Sequence, residues 1–339
     1  MKPTFAALLK LSALKLAAAA LIVSMPGAAR AAPFEIMVPA YFLPESAPAG
    51  GLAGDWAALA TAADAGLRVT AILNPDSGPG AVQSPVWADA ASAFRCERCE
   101  GLLGFVSTRY GDGSRSLAAV KAEIDKYYLW YPVTGIFLDE MPSEADMPDV
   151  VGGALIHAQE WEAKMAYYRD IYQYIKSKGS AADTRVVGNP GTRTVEEFLQ
   201  GEGPGRGPVA DSLIVFENSA SILLNSAGLP SAQAFAPTGW SLQQGYEDQL
   251  GYMVHSTNAA DLGQVLAKID AFNGGIAYVT DGLFPPGGPD TRYTRLPTYW
   301  NSLVAQAEFC EVPVAASAPL FALGLGLLGL RRRVTKVRN

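Results

Sequence analysis

Thr134-Gly-Ile-Phe-Leu-Asp-Glu140 is a short apolar run that ends on two adjacent carboxylates. A buried strand that delivers acids at its C-terminal end is where a (β/α)8 barrel carries its reactive groups. The same pattern recurs on both sides. Candidate strands are Ile36–Ala40, Arg68–Leu73, Leu102–Val106, Val133–Leu138, Arg185–Gly188, Ser212–Phe216, Gly251–Val254 and Ile276–Val279. Amphipathic stretches such as Leu117–Tyr128, Trp161–Lys178 and Leu262–Phe272 lie between them, the alternation expected of parallel βα units. Eight units predict a single α/β domain over residues 32–311, closed as a (β/α)8 TIM barrel. An open doubly wound sheet is the alternative, but no glycine-rich phosphate loop follows the first run.

The residues at the ends of the runs are Tyr41, Asn74, Thr108 with Tyr110, Asp139 with Glu140, Asn189, Glu217, His255, and Thr280 with Asp281. Taken singly, each reads as a cap or a turn. In a closed barrel all of them reach one rim, and flat aromatic faces among amides, acids and an imidazole suit a sugar. Asn74-Pro-Asp-Ser-Gly-Pro-Gly80 and Asn189-Pro-Gly191 are rigid turns that both open on asparagine. A tight turn explains the proline and glycine but not that leading residue. Trp56, Trp87 and Trp240 read as core before they read as stacking platforms.

Seven segments appear in a fixed order: Val38–Tyr41, Ile72–Gly80, Gly104–Gly111, Gly135–Glu140, Gly188–Thr192, Val215–Glu217 and Tyr278–Asp281. Together they resemble the spherulin-4-like, or spherulation-specific family 4, glycoside hydrolases. That resemblance implies a (β/α)8 enzyme cutting α-1,4-linked N-acetylgalactosamine in an amino-sugar exopolysaccharide, with Asp139, Glu140 and Glu217 as its essential acids.

Glycosidic cleavage needs one acid to protonate the leaving oxygen and one carboxylate opposite it. Asp139 is expected as nucleophile and Glu217 as general acid/base, in a retaining mechanism. Glu140 is expected to supply negative charge or bind substrate. Neighbouring strand residues face opposite ways, so Glu140 shares the site only if the strand breaks there; it can also exchange roles with Asp139. An N-acetyl group acting as internal nucleophile is a further route. Tyr41, Asn74, Tyr110, Asn189, His255 and Asp281 are expected to contact the polysaccharide.

No cofactor or metal is expected. The two histidines, His157 and His255, are far apart, and the Cys96-x-x-Cys99 pair lacks a second such pair, so a zinc site is hard to assemble. This weighs against a polysaccharide deacetylase. A non-catalytic carbohydrate-binding barrel and an adhesin also compete with the hydrolase. Cys96 and Cys99 read as a local disulfide, with a redox-active pair as the alternative; Cys310 stands alone.

Both ends of the chain carry sorting features. Lys2, Lys10 and Lys15 precede apolar Leu16–Met25, and Ala29-Arg30-Ala31 offers a small-x-small cleavage pattern, so residues 1–31 read as a signal peptide. An uncleaved anchor is the alternative. Residues 312–339 hold Val312-Pro313, a glycine-punctuated apolar run to Leu330 and then Arg331-Arg332-Arg333. This resembles the PEP-CTERM tail of Gram-negative exported proteins. It implies membrane engagement, a sorting protease as partner, and an exported location in the periplasm or at the cell surface. Nine of the 26 bases lie in these two ends, leaving 17 bases against 33 acids between them, a net of −16. Such a surface excludes nucleic acid as a partner and favours a neutral or cationic ligand.

Overall fold

The computed structural model describes residues 33–48, 51–94, 100–151, 154–156, 158–201, 206–225 and 235–308. The signal and tail segments, the three cysteines and His157 lie outside them. Among the described residues no helix is long and apolar enough to cross a membrane.

Eight strands close into a parallel barrel: β1 (Glu35–Ala40), β2 (Val69–Leu73), β3 (Glu100–Ser107), β4 (Gly135–Asp139), β5 (Arg185–Asn189), β6 (Ser212–Ser219), β7 (Leu250–His255) and β8 (Ile276–Val279). Each pairs with its neighbours in chain order, and β1 closes the ring against β8. Both faces of β1, β2, β7 and β8 are buried, because helices cover a parallel sheet from outside. That is why these strands read in sequence as continuous rather than alternating apolar runs.

The helices are α1 (Gly54–Asp64), α2 (Pro85–Phe94), α3 (Leu117–Trp130), α4 (Ala158–Lys176), α5 (Glu197–Gln200), α6 (Ala220–Leu223), α7 (Leu262–Ala271) and α8 (Trp300–Val304). α3 starts at Ser116, whose side chain accepts from Ala119 N, satisfying one of the unpaired amides of its first turn. It buries Val120, Ile124 and Tyr127, a helical stripe at i, i+4, i+7. Tyr127 lies flat on β3 at Gly104, where any Cβ would sit 2.4 Å from the ring; its hydroxyl donates to Leu73 O at 3.0 Å. Trp56 and Trp87 are core residues, 1% and 4% exposed.

The polar groups of the barrel sort to its two ends. At the N-terminal end, Glu35, Arg185 and Ser212 each begin a strand. Glu35 accepts from Arg185 (2.6 Å), Thr70 (2.7 Å) and Arg68 (3.2 Å), and Arg185 also donates to Ser212 Oγ at 3.1 Å. Burial raises the Glu35 carboxyl, but Arg185, Thr70 and Arg68 outweigh it and hold the group below its ordinary 4.5. The C-terminal end carries the acids singled out above.

Candidate active site

β4 ends at Asp139, and the chain breaks at once: Glu140 has a left-handed backbone, φ 55°. The same conformation occurs next door at Arg109 (φ 49°) and Tyr110 (φ 56°) after β3. Such residues cost roughly 1–3 kcal/mol each and persist where their surroundings fix them. Here Thr108 does the fixing. It is buried, its hydroxyl donates to the carbonyls of Asp139 (2.8 Å) and Glu140 (2.9 Å), and Tyr168 Oη lies 2.7 Å away. Tyr110 N donates to Glu140 O at 2.6 Å. The break on which a shared site depends is present at Glu140, so both acids reach the rim.

Glu217 stands inside β6 rather than just after it, correcting the shorter strand expected from sequence. Pairing of β6 with β7 slips by one residue between Ile214 and Phe216. The Asn189-Pro-Gly191 turn fits that bulge: Gly191 N donates to Ile214 O (3.1 Å), and Glu217 N donates to Gly191 O (2.8 Å). A bulge re-aims the side chains that follow it.

Asn189, buried at the end of β5, joins the two carboxylates. Its Nδ2 donates to Asp139 Oδ1 and Glu217 Oε2, at 2.8 Å each. Twice 2.8 Å sets 5.6 Å as the upper limit on the separation of those two oxygens. The other oxygen of Glu217 accepts from Arg292 Nη1 (3.1 Å) and Tyr293 Oη (2.8 Å). Three donors therefore hold Glu217, and Asp139 stands half-buried beside it. Burial first, then the charge of Glu217, pushes the Asp139 carboxyl up to about 7, against the opposing hydrogen bond from Asn189.

Two cavities meet at Asp139. One, about 310 Å³, is lined by Tyr41, Phe105, Phe137, Asn189, Glu217, Met253, Arg292 and Tyr293 as well as Asp139. The other, about 730 Å³, is more polar and is lined by Ser77, Ser107, Arg109, Asp112, Arg115, Asp139 and Glu140, among others. Glu140 accepts from Ser107 Oγ and lies 3.8 Å from Arg109 Nε.

The remaining candidates divide. Tyr41 faces the acid pair, and burial, with the charges of Asp139 and Glu217, drives its phenol far above the usual range. Tyr110 stands half-exposed at the rim; partial burial and the charges of Glu140, Asp139 and Glu217 raise its phenol. His255 is buried, and burial, then Arg292, push it down to about 4, so it is neutral near pH 7. Its Nδ1 lies 2.9 Å from Ser256 Oγ. Asn74, Tyr110, His255 and Asp281 line neither cavity. Asn74 Oδ1 accepts from Gly78 N at 2.8 Å and shapes its own turn. Asp281 binds Arg295 (3.1 Å) and Thr298 Oγ1 (2.7 Å), tying down the segment after β8.

That segment, residues 280–299, supplies what sequence reading missed: Arg292 and Tyr293. An ordinary βα loop is about 2–6 residues, and much longer ones are usually functional. Its length and its Asp290-Thr-Arg-Tyr-Thr-Arg295 run were the available signal.

The family model described as spherulation-specific family 4 matches residues 35–307. Spherulin-4 of Physarum polycephalum is 29% identical over 256 residues, which cover 74% of this chain and 64% of that protein. The match therefore spans less than two thirds of that relative's length. Among solved structures, Aspergillus clavatus Sph3 in complex with GalNAc superposes with a TM-score of 0.58 at 23% identity. It covers 82% of this chain and 98% of its own. This is a likeness of fold.

Proposed function

We propose that this chain, which belongs to spherulation-specific family 4, is a retaining glycoside hydrolase acting on an amino-sugar polysaccharide of N-acetylgalactosamine type. The observation that carries the reading is the Asp139–Asn189–Glu217 bridge, which keeps the nearest oxygens of the two carboxyls within 5.6 Å and so favours the closer-set class of acid pair. Retaining pairs stand about 5–5.5 Å apart, and inverting pairs about 6.5–9.5 Å, to leave room for water. The GalNAc bound to the Sph3 structure supports the sugar class. The signal and tail features of the sequence favour an exported enzyme held at the membrane and met there by a sorting protease.

Electrostatics favour a reversal of the roles expected from sequence. Glu217, held by Arg292, Tyr293 and Asn189, suits the charged nucleophile. Asp139, up at about 7, suits the acid that keeps its proton near neutrality. Glu217 attacks the anomeric carbon while Asp139 gives its proton to the departing oxygen. Once Glu217 is an ester its charge is gone, so Asp139 loses part of what raised it. It then serves as the base that takes a proton from the incoming water. Glu140, on the polar side, binds the neighbouring sugar.

Two measurements follow. The first-formed anomer from an N-acetylgalactosamine polymer, read by proton NMR, should keep the configuration of the bond cleaved; inversion would rule out the nucleophile. The reaction needs protonated Asp139, so kcat/KM should fall about tenfold per pH unit above about 7. A profile flat to about pH 9 would remove Asp139 as the acid.

A further inference from the structure

We propose that Phe284 is a sugar-stacking site on the β7–β8 side of the mouth, taking a pyranose ring of the polymer beyond the unit held between Asp139 and Glu217. The inference rests on the glycoside hydrolase reading above.

Residues 283–290 are all exposed, and Phe284 is 56% exposed. Single exposed apolar residues are ordinary; Phe284 differs in how firmly it is held. The guanidinium carbon of Arg292 lies 4.1 Å from its ring centroid. Arg292 is fixed in turn by Asp290 (3.0 and 2.9 Å) and by Glu217 (3.1 Å). His255 meets the ring at 6.3 Å and 79°. The outcrop closes on itself, Thr291 N donating to Leu283 O and Leu283 N to Thr291 Oγ1, both at 2.9 Å. A ring so constrained has little freedom left to lose when a ligand stacks on it.

Position points the same way. From the ring centroid, 4.1 Å to Arg292 Cζ, one C–N bond and 3.1 Å reach Glu217 Oε1, so the ring stands at most about 9 Å from the reacting carboxylate. Phe284 is absent from the lining of the cavity that holds the acids, which places it beside the cleaved unit rather than around it. It adjoins His255 at the end of β7, diametrically opposite β3, which carries half-exposed Tyr110. Exposed aromatics thus stand on opposite sides of the barrel mouth. The chemistry selects a pyranose. Its axial C–H face matches an apolar ring, whereas an anion would find Arg292 already committed to two carboxylates.

The test uses a length series of N-acetylgalactosamine oligosaccharides with the wild type, F284L and F284Y. Leucine keeps an apolar body beneath Arg292 but removes the aromatic face; tyrosine keeps the face. Wild-type kcat/KM should step up about fivefold at the length that reaches Phe284, a size typical of one aromatic contact. That step should vanish in F284L and return in F284Y, with all three proteins equal on shorter chains. A loss in F284L that is equal at every length would mean that Phe284 only props Arg292, and an intact step would mean that it binds nothing; either result overturns the site. If the wild type cleaves no member of the series, the function itself is wrong and this site falls with it.

Discussion

Asp139→Asn and Glu217→Gln should each lower kcat on the polymer by three or more powers of ten. Removing one of two catalytic carboxylates raises the barrier by roughly 4–7 kcal/mol, beyond any loss of binding alone. The two variants should then part company. A glycoside with a strongly acidic leaving group needs little protonation, so D139N should recover most of its kcat/KM on a dinitrophenyl glycoside, while its kcat stays low because the ester still lacks the base that activates water. E217Q lacks the attacking oxygen and should not recover. Circular dichroism should show that both fold, since each substitution keeps the size and shape of the side chain while removing its charge and one acceptor oxygen. Recovery by E217Q instead of D139N would restore the opposite assignment, with Asp139 as nucleophile. Wild-type turnover in either would dismiss the pair.

Glu35→Ala should destabilise the barrel by roughly 3–5 kcal/mol, the cost of removing one partner from a buried ion pair. Glu35 is enclosed and faces Arg185 and Arg68; its loss removes the carboxylate that pairs with Arg185, whereas Arg68 keeps Glu308. The pH dependence has a definite sign. The folded carboxyl lies below 4.5 because Arg185, Thr70 and Arg68 overcome the effect of burial. Its contribution is therefore complete above pH 4.5 and fades as pH falls below that through the folded value. Urea melts from about pH 7 to about pH 3 should show a large midpoint difference between wild type and E35A that shrinks as the acid is titrated. A constant difference, or none near neutrality, would contradict the network.

The barrel was legible because strands buried on both faces leave uninterrupted apolar runs, and all eight fall where expected to within three residues. Asp139 and Glu217 were legible for a related reason, as acids closing such runs. Their roles were not. Arg292, which pairs with Glu217, lies 75 residues away in the chain, and nothing local to Glu217 announces it. The sequence points Asn189 at substrate, yet its amide nitrogen is occupied by the two acids. Asn74 opens a similar Asn-Pro turn and merely folds it. Two like motifs thus do different work, and only the β6 bulge beside Asn189 tells them apart.

The separation of the Glu35 cluster from the acids at the rim makes this barrel divisible as an engineering target. A six-residue strand such as β1 sets the two ends roughly 20 Å apart, a distance at which substitutions act additively. Gains in melting temperature selected around Arg68 and Arg185 should leave turnover untouched. The surplus would then shelter more disruptive changes near left-handed Glu140, where a library aimed at new polymers would have to work.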